Sequence, residues 1–470
     1  MTEIDYEATE NIIRDELLEC RRLFTRAVTD MPEYSTQEKI GHDFPGFQRE
    51  VFKAHKYALR LLIDRILWLE NLLAETTGAT HPRSPDMRTL KLHFWKRILE
   101  MGYNTFVWIH VGIDRSNTKK VFKGPKHGDL GNQNVASVLQ YVDEVNKNPN
   151  EFALPLDFCS FSPICDILQI SYSEAEKIRR TLFLEAKSGK VNDEMLETID
   201  AKTPEAYFKF FDTYGEKGIN QMERFFRQQL MLHKSHKLIN AESGVYENPV
   251  SGKPPLIVLP NEAKVVHFTD KITELLEKAE RRDFAVDVID NCLVVGALNG
   301  EDESILMLGE YDVRLYIYHC FFNPATLDGA PYPDDLPEIL SRITLTDWLE
   351  SVASVVLEPI LLRRLADKYL MDVLLGKKRL RLFFNPESFI TLCNENGIRA
   401  EFTTTKEANH LRSSGSAKGL VEFNGRFIRL FLGDAVATFG DGFLHEMLFN
   451  WVRPTSVIEQ LKGHKLTRAS

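Results

Sequence analysis

Apolar residues recur with helical spacing over the first third of the chain. Between residues 52 and 69 they fall every three or four positions among charged ones, which is typical of an amphipathic helix. The pattern predicts two helices over residues 6–75, a Gly- and Pro-containing loop over 76–87, and a further helix near 90–101. The apolar segment 104–111 that follows fits either a helix or a strand.

In the middle of the chain the apolar period changes. A helix over residues 132–148, stopped by the next proline, precedes a strand-like period over 155–191. A long helix over 203–239 then begins with a threonine cap and a first-turn proline. We expect this helix to break at Gly215 or Gly218.

The C-terminal half has a different pattern. Residues 241–255 hold two glycines and three prolines and are the best candidate for a domain boundary. Beyond them, two apolar runs around Asp290-Asn291 predict a β-hairpin. Residues 346–375 read as helical, and residues 380–384 and 420–432 as strands.

Together these elements predict an α/β protein in three parts. They are a helical N-terminal region (1–100), a central core (101–240) and a C-terminal α/β accessory domain (256–470). A length of 470 residues also favours more than one domain.

Composition narrows the class of protein. Hydrophobic residues make up 43% and charged residues 27%, as in globular proteins. No apolar run reaches the roughly 18–20 residues that cross a bilayer. The acidic N-terminus lacks the features of a signal peptide, so we expect a cytoplasmic protein without a membrane partner. The six scattered cysteines predict buried, reduced thiols.

The net charge of −10 argues against a protein devoted to coating nucleic acid, but it allows a local basic groove. Short basic runs that could line such a groove, or could equally be solvated surface, are Lys119-Lys120 with Lys123 and Lys126, Arg179-Arg180, and Lys377-Lys378-Arg379 with Arg381.

Three charged residues lie at the ends of two apolar, β-prone runs. A hairpin turn centred between Ala175 and Glu176 would place Asp166 opposite Glu185, with Lys187 two residues further along. Two neighbouring carboxylates repel each other unless a cation lies between them. Mg²⁺ or Mn²⁺ prefers such oxygen ligands and could activate water.

A lysine at this position could orient or deprotonate the attacking water, or stabilise charge on a phosphate. Acid and lysine at alternate positions also occur on solvated sheet edges. The facing aspartate and the apolar flanks favour a site for phosphodiester cleavage, because charges on buried strands require partners.

These residues resemble the PD-(D/E)XK nuclease superfamily, whose core pattern is an aspartate on one strand and Glu-x-Lys on the next. The resemblance covers roughly residues 100–240 and includes the order of helix, strands and helix. It implies a restriction-endonuclease-like mixed sheet flanked by helices. It also implies that Asp166 and Glu185 are metal ligands and that Lys187 is the catalytic lysine.

Many members of that superfamily carry a further acid on the first core helix. Here the helix offers Gln133 at its start, which is either a substitute or a surface residue. Lys190 could contact a phosphate or be an exposed charge, and His127 could approach substrate or belong to a turn.

Two functions from different classes follow from these residues. The first is a metal-dependent nuclease acting on DNA or RNA, suited by analogy to prokaryotic defence or nucleic-acid processing. The second is a non-catalytic scaffold that binds nucleic acid or protein through a degenerate nuclease-like fold. The oligomeric state is left open.

Overall fold

A computed structural model describes most of the chain. The described residues are 5–31, 36–77, 87–111, 122–125, 133–163, 165–173, 178–184, 190–239, 244–246, 256–258, 265–282, 284–299, 344–347, 359–417, 419–433 and 435–462. They divide into two compact units. Unit 1 comprises Met1–Ala241, Pro249–Ser251 and Leu357–Leu362, and unit 2 comprises Glu242–Asn248, Gly252–Val356 and Arg363–Ser470.

Helices and strands alternate along much of the chain. The helices are α1 (Tyr6–Thr29), α2 (Gln37–His42), α3 (Phe44–Thr77), α4 (Met87–Val111), α5 (Gln133–Asn146), α6 (Lys190–Ala201), α7 (Pro204–Ile239), α8 (Thr269–Arg282), α9 (Asp367–Leu374), α10 (Pro386–Glu395), α11 (Thr405–Ser413), α12 (Asp441–Leu448) and α13 (Pro454–Lys462). The strands are β1 (Phe122–Pro125), β2 (Glu151–Pro155), β3 (Phe161–Pro163), β4 (Ile167–Ser173), β5 (Ile178–Leu184), β6 (Gly244–Tyr246), β7 (Leu256–Val258), β8 (Phe284–Ile289), β9 (Leu293–Asn299), β10 (Thr344–Asp347), β11 (Lys378–Phe384), β12 (Arg399–Phe402), β13 (Ile428–Leu432) and β14 (Ala435–Thr438).

In unit 1, long helices pack against a three-stranded sheet. Strands β2, β4 and β5 lie in that order, with β4 in the centre. Phe52 of α3 stacks on Phe152 of β2, and Phe106 of α4 lies 5.8 Å from the same ring. All three rings are fully buried, so the helices and the sheet share one aromatic core.

Helix α4 extends to Val111 and so includes the segment 104–111, whose pattern fitted either a helix or a strand. Its residues from Met101 to Val107 are all buried. A fully buried helix shows no polar face in its sequence, and this is why periodicity could not identify it. The predicted break in the long helix is confirmed at Gly215 in α7, where φ is 53° and ψ is −137°.

In unit 2, the predicted hairpin around Asp290-Asn291 is confirmed. Strands β8 and β9 pair from Phe284–Leu298 to Ile289–Leu293. Asp290 and Asn291 both have positive φ, which short polar side chains tolerate in tight hairpin turns. The two strands belong to a four-stranded sheet in the order β10-β11-β9-β8, and strands β12, β13 and β14 form a second sheet.

The helical prediction for residues 346–375 is partly wrong. Residues Thr344–Asp347 form strand β10, which pairs with β11. Within the described part of that range, the α-helix covers only Asp367–Leu374. Cross-strand pairing at a sheet edge is a tertiary contact, and it overrides a local helical pattern.

Distant segments of unit 2 are joined by hydrogen bonds. The Asp290 carboxylate accepts from the Arg453 guanidinium at 2.8 Å and from the Thr455 backbone N–H at 3.0 Å. The Val266 N–H donates to the Ser456 hydroxyl at 2.9 Å. The start of helix α13 is therefore fixed by residues that precede it by more than 160 positions.

The fold class is mixed α/β, as predicted. The sheet predicted to be mixed is antiparallel in its three described strands. Their connections are short, whereas a parallel pair needs a crossover of a dozen or more residues. No helix in the described residues combines the length and apolar character needed to span a bilayer.

Candidate active site

The hairpin that carries the predicted site has the expected register. Ser173 pairs with Ile178, and Ile167 pairs with Leu184. A turn centred between Ala175 and Glu176 requires this pairing, so the prediction for the described strands is confirmed. The pairing of strands β4 and β5 ends at Leu184, and Glu185 is the next residue in the chain.

Asp166 lies directly before the central strand and is hydrogen-bonded to strand β5 and to the turn that follows β2. Its backbone N–H donates to the Leu184 carbonyl at 3.0 Å, and its carbonyl accepts from the Leu156 N–H at 2.8 Å. In a regular strand, the N–H and C=O of one residue point to the same neighbour. At Asp166 they point to opposite neighbours, so the chain bends here as it enters β4.

This bend modifies the sequence prediction. Regular alternation would have carried the register of β4 through Asp166 and placed its side chain on one face with Glu185 and Lys187. The bend interrupts that alternation, and irregular residues of this kind re-aim side chains near functional sites. The Asp166 side chain is half-buried.

Helix α4 holds the segment that pairs with Asp166. The Tyr103 hydroxyl donates to the Pro155 carbonyl at 2.7 Å. Further along, the Ser160 N–H donates to the Asn104 side-chain oxygen at 3.1 Å, and the Asn104 amide donates to the Ser160 hydroxyl at 2.6 Å. Arg97 donates to the Ser160 carbonyl at 2.5 Å. One helix therefore fixes both ends of residues 155–160.

Charged groups on α4 are balanced inside the unit. Lys96 forms ion pairs with Glu70 and, at 3.9 Å, with Glu100, and Arg97 lies 3.6 Å from Glu100. Burial lowers the pKa of Arg97, and the nearby Glu100 carboxylate partly offsets this. Buried charges are tolerated when they are paired in this way.

Tyr103 is fully buried. Burial raises the pKa of its hydroxyl well above the usual value, and Cys159 and then the Asp157 carboxylate raise it further. The hydroxyl therefore remains a hydrogen-bond donor at neutral pH.

Helix α5 packs along the other side of strands β2 and β4. The Asn146 side chain exchanges two hydrogen bonds of 2.9 Å with the backbone of Ala153. The Tyr141 hydroxyl donates to the Gln169 side-chain oxygen at 2.8 Å. These contacts fix the helix on the sheet that leads to Asp166.

The structure describes only some of the predicted site residues. Asp166 lies at the bend before β4. Gln133 is the first residue of α5, and Glu185, Lys187 and His127 lie outside the described residues.

Lys190, the first residue of α6, is exposed and lies 3.7 Å from Glu194, one turn along. A surface pair of this kind is weak and leaves the ammonium accessible. Its proposed contact with a phosphate stays a prediction.

One residue of the third basic run, Lys378, is not available to line a groove. The Lys378 side chain is buried, donates to the Leu276 carbonyl at 3.2 Å and lies 3.2 Å from Glu280. It points inward because it alternates with the core residues Leu380 and Leu382 on strand β11. Its ammonium is occupied in the core of unit 2, which corrects the expectation for that position.

The donor chemistry of the site suits a hard divalent cation, since carboxylate oxygens are the ligands that Mg²⁺ and Mn²⁺ prefer. The described residues contribute one of the two proposed ligands, Asp166. Within the described part of the chain, no group of three or more His, Cys, Asp or Glu side chains is arranged to hold a metal.

Sequence reasoning missed Arg97, Tyr103, Asn104 and Asp157. A signal for Arg97 and Asn104 was present, because these two residues and Glu100 between them are polar residues spaced three and four positions apart in a largely apolar stretch of α4. Asp157 directly follows the apolar run 152–156, and Asp166 directly precedes the next apolar run. The local sequence pattern did not indicate which groups these residues contact.

Comparison with known proteins identified no relative of this chain. No family model matches the chain, and neither the curated proteins nor the solved structures give a match.

Proposed function

We propose that the region around helix α5, strands β2, β4 and β5 and helix α6 is the core of a metal-dependent nuclease that hydrolyses phosphodiester bonds of DNA or RNA. Asp166 and Glu185 are the proposed ligands of Mg²⁺ or Mn²⁺, and Lys187 is the proposed catalytic lysine. The observation that carries the proposal is the hydrogen bond from the Asp166 N–H to the carbonyl of Leu184, the residue before Glu185.

The order of elements supports this proposal. Along residues 133–201 the chain forms a helix, the three antiparallel strands β2, β4 and β5, with the short strand β3 between β2 and β4, and then a second helix. The PD-(D/E)XK superfamily, which the Asp and Glu-x-Lys residues resemble, has the order helix, strands, helix. The aspartate comes directly before the central strand, and the Glu-x-Lys sequence directly follows the edge strand.

Each residue has a role that its chemistry permits. A divalent cation bound by Asp166 and Glu185 would supply water activation and neutralise charge on the phosphate. The Asp166 backbone is hydrogen-bonded to β5 and to the turn after β2, and a ligand whose backbone is held by such elements is positioned more precisely than one on a loop. The Lys187 ammonium could orient the attacking water or stabilise negative charge that develops on the phosphate.

One observation favours the scaffold as the second candidate. The first turn of helix α5 carries no acidic residue, although many members of the superfamily have a further acid on this helix. A scaffold would keep the fold and bind nucleic acid or protein without cleaving it.

The test is cleavage by the full chain. Supercoiled and linear DNA, single-stranded DNA and RNA are incubated with protein and Mg²⁺, Mn²⁺ or EDTA. We expect cleavage of at least one substrate with a metal and none with EDTA. Equal inertness under all conditions, from a protein that binds one of these nucleic acids, would instead support the scaffold.

A further inference from the structure

A single peptide group connects helix α4 to Asp166. Its carbonyl belongs to Pro155 and accepts from the Tyr103 hydroxyl at 2.7 Å. Its N–H belongs to Leu156 and donates to the Asp166 carbonyl at 2.8 Å. Because the peptide group is planar and rigid, the hydroxyl that fixes its carbonyl also fixes the direction of its N–H.

We propose that Tyr103 is a positioning residue for Asp166, which acts through the Pro155–Leu156 peptide and sets the geometry of the proposed metal site. This inference rests on the proposed function, in which Asp166 is a metal ligand. Tyr103 itself does not touch the metal or the substrate.

The hydroxyl is well suited to this role. The Tyr103 ring is fully buried and contacts the rings of Phe106 at 5.5 Å and Phe158 at 5.9 Å. These contacts restrict the ring, so the hydroxyl has a defined direction. Consecutive hydrogen bonds through one peptide group polarise one another and are strengthened together in a buried setting.

A second anchor on the same helix keeps the peptide from rotating. Asn104 and Arg97 bind three backbone and side-chain groups of Ser160. The Cys159 N–H donates to the Leu156 carbonyl at 3.1 Å, which closes the turn between the two anchors. Residues 155–160 therefore form a short bracket, held at both ends by α4, whose Leu156 N–H points at Asp166.

A matched pair of substitutions separates positioning from general support of the sheet. Tyr103→Phe removes the hydroxyl bonded to Pro155 and keeps the ring. Tyr141→Phe removes another hydroxyl that is bonded to the same sheet, at Gln169, but not to the peptide that meets Asp166. Each variant loses one hydrogen bond, but the Tyr103 hydroxyl is buried and Tyr141 is exposed. The thermal midpoint of each variant is therefore measured as well, to separate a general loss of stability from a loss of positioning.

The measurements are Mn²⁺ affinity of the full chain, followed by electron paramagnetic resonance, and kcat and KM for nucleic-acid cleavage. We expect Tyr103→Phe to weaken Mn²⁺ binding by about tenfold, as loss of an outer-shell partner of a metal ligand does. We also expect a lower kcat with an unchanged KM for nucleic acid. Tyr141→Phe should leave Mn²⁺ affinity within about twofold of that of the unmodified protein.

Mn²⁺ affinity and kcat of Tyr103→Phe equal to those of Tyr141→Phe would overturn the positioning role. If Tyr103→Phe does not fold, Ser160→Ala tests the same proposal, because it loosens the other end of the bracket. It should weaken Mn²⁺ binding severalfold, and an unchanged Mn²⁺ affinity would overturn the positioning role. Asp166→Asn shows whether the proposed metal site or only the positioning role of Tyr103 has failed. If it leaves Mn²⁺ binding unchanged, the proposed metal site fails, whereas an effect of Asp166→Asn without an effect of Tyr103→Phe overturns the positioning role alone.

Discussion

The backbone N–H of Asp166 donates to the carbonyl oxygen of Leu184 at 3.0 Å. This bond joins the proposed metal-binding aspartate to the strand that leads directly into Glu185. It is made by backbone groups only, so substitution of the aspartate side chain leaves it in place. The chemistry of the carboxylate can therefore be altered without removing the contact that holds the two strands at this point.

Asp166→Asn should lower metal-dependent cleavage by at least about a hundredfold, because the amide keeps the shape but loses the charge that a hard cation requires. Binding of nucleic acid should persist or become tighter, because one negative charge near the phosphates is removed. Cleavage is measured with Mg²⁺ or Mn²⁺, and binding with EDTA. Asp212→Asn, an exposed change on helix α7, removes the same charge elsewhere and should leave cleavage intact. Equal activity of the two variants would exclude Asp166 as a ligand.

Lys187→Ala should reduce cleavage by about 10²–10⁴-fold, the range of a positioned acid–base group. Its thermal midpoint should match that of the unmodified protein. Lys209→Ala is the control, since that residue is exposed on helix α7 and has no proposed role in the site, and it should change cleavage by no more than a fewfold. A folded Lys187→Ala variant with full activity would remove the lysine from the mechanism.

The stability of unit 2 should depend on pH through protonation of the Glu280 carboxylate. Hydrogen bonds from Lys368 and, to a lesser extent, Lys378 lower the pKa of Glu280 to about 2. A carboxylate with a lowered pKa stabilises the folded state above its unfolded value of 4.5, and this contribution is lost as the pH falls towards 2. Burial raises the pKa of Asp372, which offsets part of the loss.

Glu280→Gln should lower the free energy of unfolding at pH 7 by about 1 kcal/mol, since the carboxylate is partly exposed and screened. It should also flatten the dependence on pH between 4.5 and 2. Urea unfolding of the full chain at several pH values measures both effects. Glu277→Gln, on the exposed side of the same helix, should behave like the unmodified protein. If the free energy of unfolding of Glu280→Gln changed with pH as steeply as that of the unmodified protein, this role of Glu280 would be contradicted.

Gly215→Ala should destabilise unit 1 by about 1–2 kcal/mol, because φ is 53° there and a Cβ strains that backbone. A Cβ at this position would meet no atom within 4 Å, so the cost is conformational and not steric. Gly41→Ala in helix α2 also meets no atom within 4 Å and should be neutral or stabilising by up to about 1 kcal/mol. Urea midpoints compare the two, and equal shifts would show that the kink does not require glycine.

Features with a local physical cause could be predicted from the sequence. Two apolar, β-prone runs that flank a polar stretch indicated a hairpin, and a turn centred between Ala175 and Glu176 predicted the observed register of β4 and β5. The break at Gly215 and the hairpin turn at Asp290-Asn291 followed from residues that accept positive φ.

Features set by distant partners could not be predicted. The bend at Asp166 depends on bonds to Leu156, in the turn after β2, and to Leu184 of β5. The Tyr103 hydroxyl meets a carbonyl 52 residues away, and the segment of its helix from Met101 to Val107 is buried throughout, so no polar face reveals the contact. Local periodicity reports which face of an element is buried, but not which backbone group a buried hydroxyl will meet.

The bonds that join the start and the end of unit 2 constrain when that unit can fold. Asp290 reaches Thr455 across 165 positions, and Val266 reaches Ser456 across 190. During synthesis these partners do not exist until residues 455 and 456 have been made, at about 5–20 residues per second. Hairpin β4–β5, whose strands are separated by four residues, can close as soon as it leaves the ribosome. Unit 2 can therefore complete its fold only after Ser456 has left the ribosome, and ribosomes that stall before Thr455 hold it with the ends of its core unjoined.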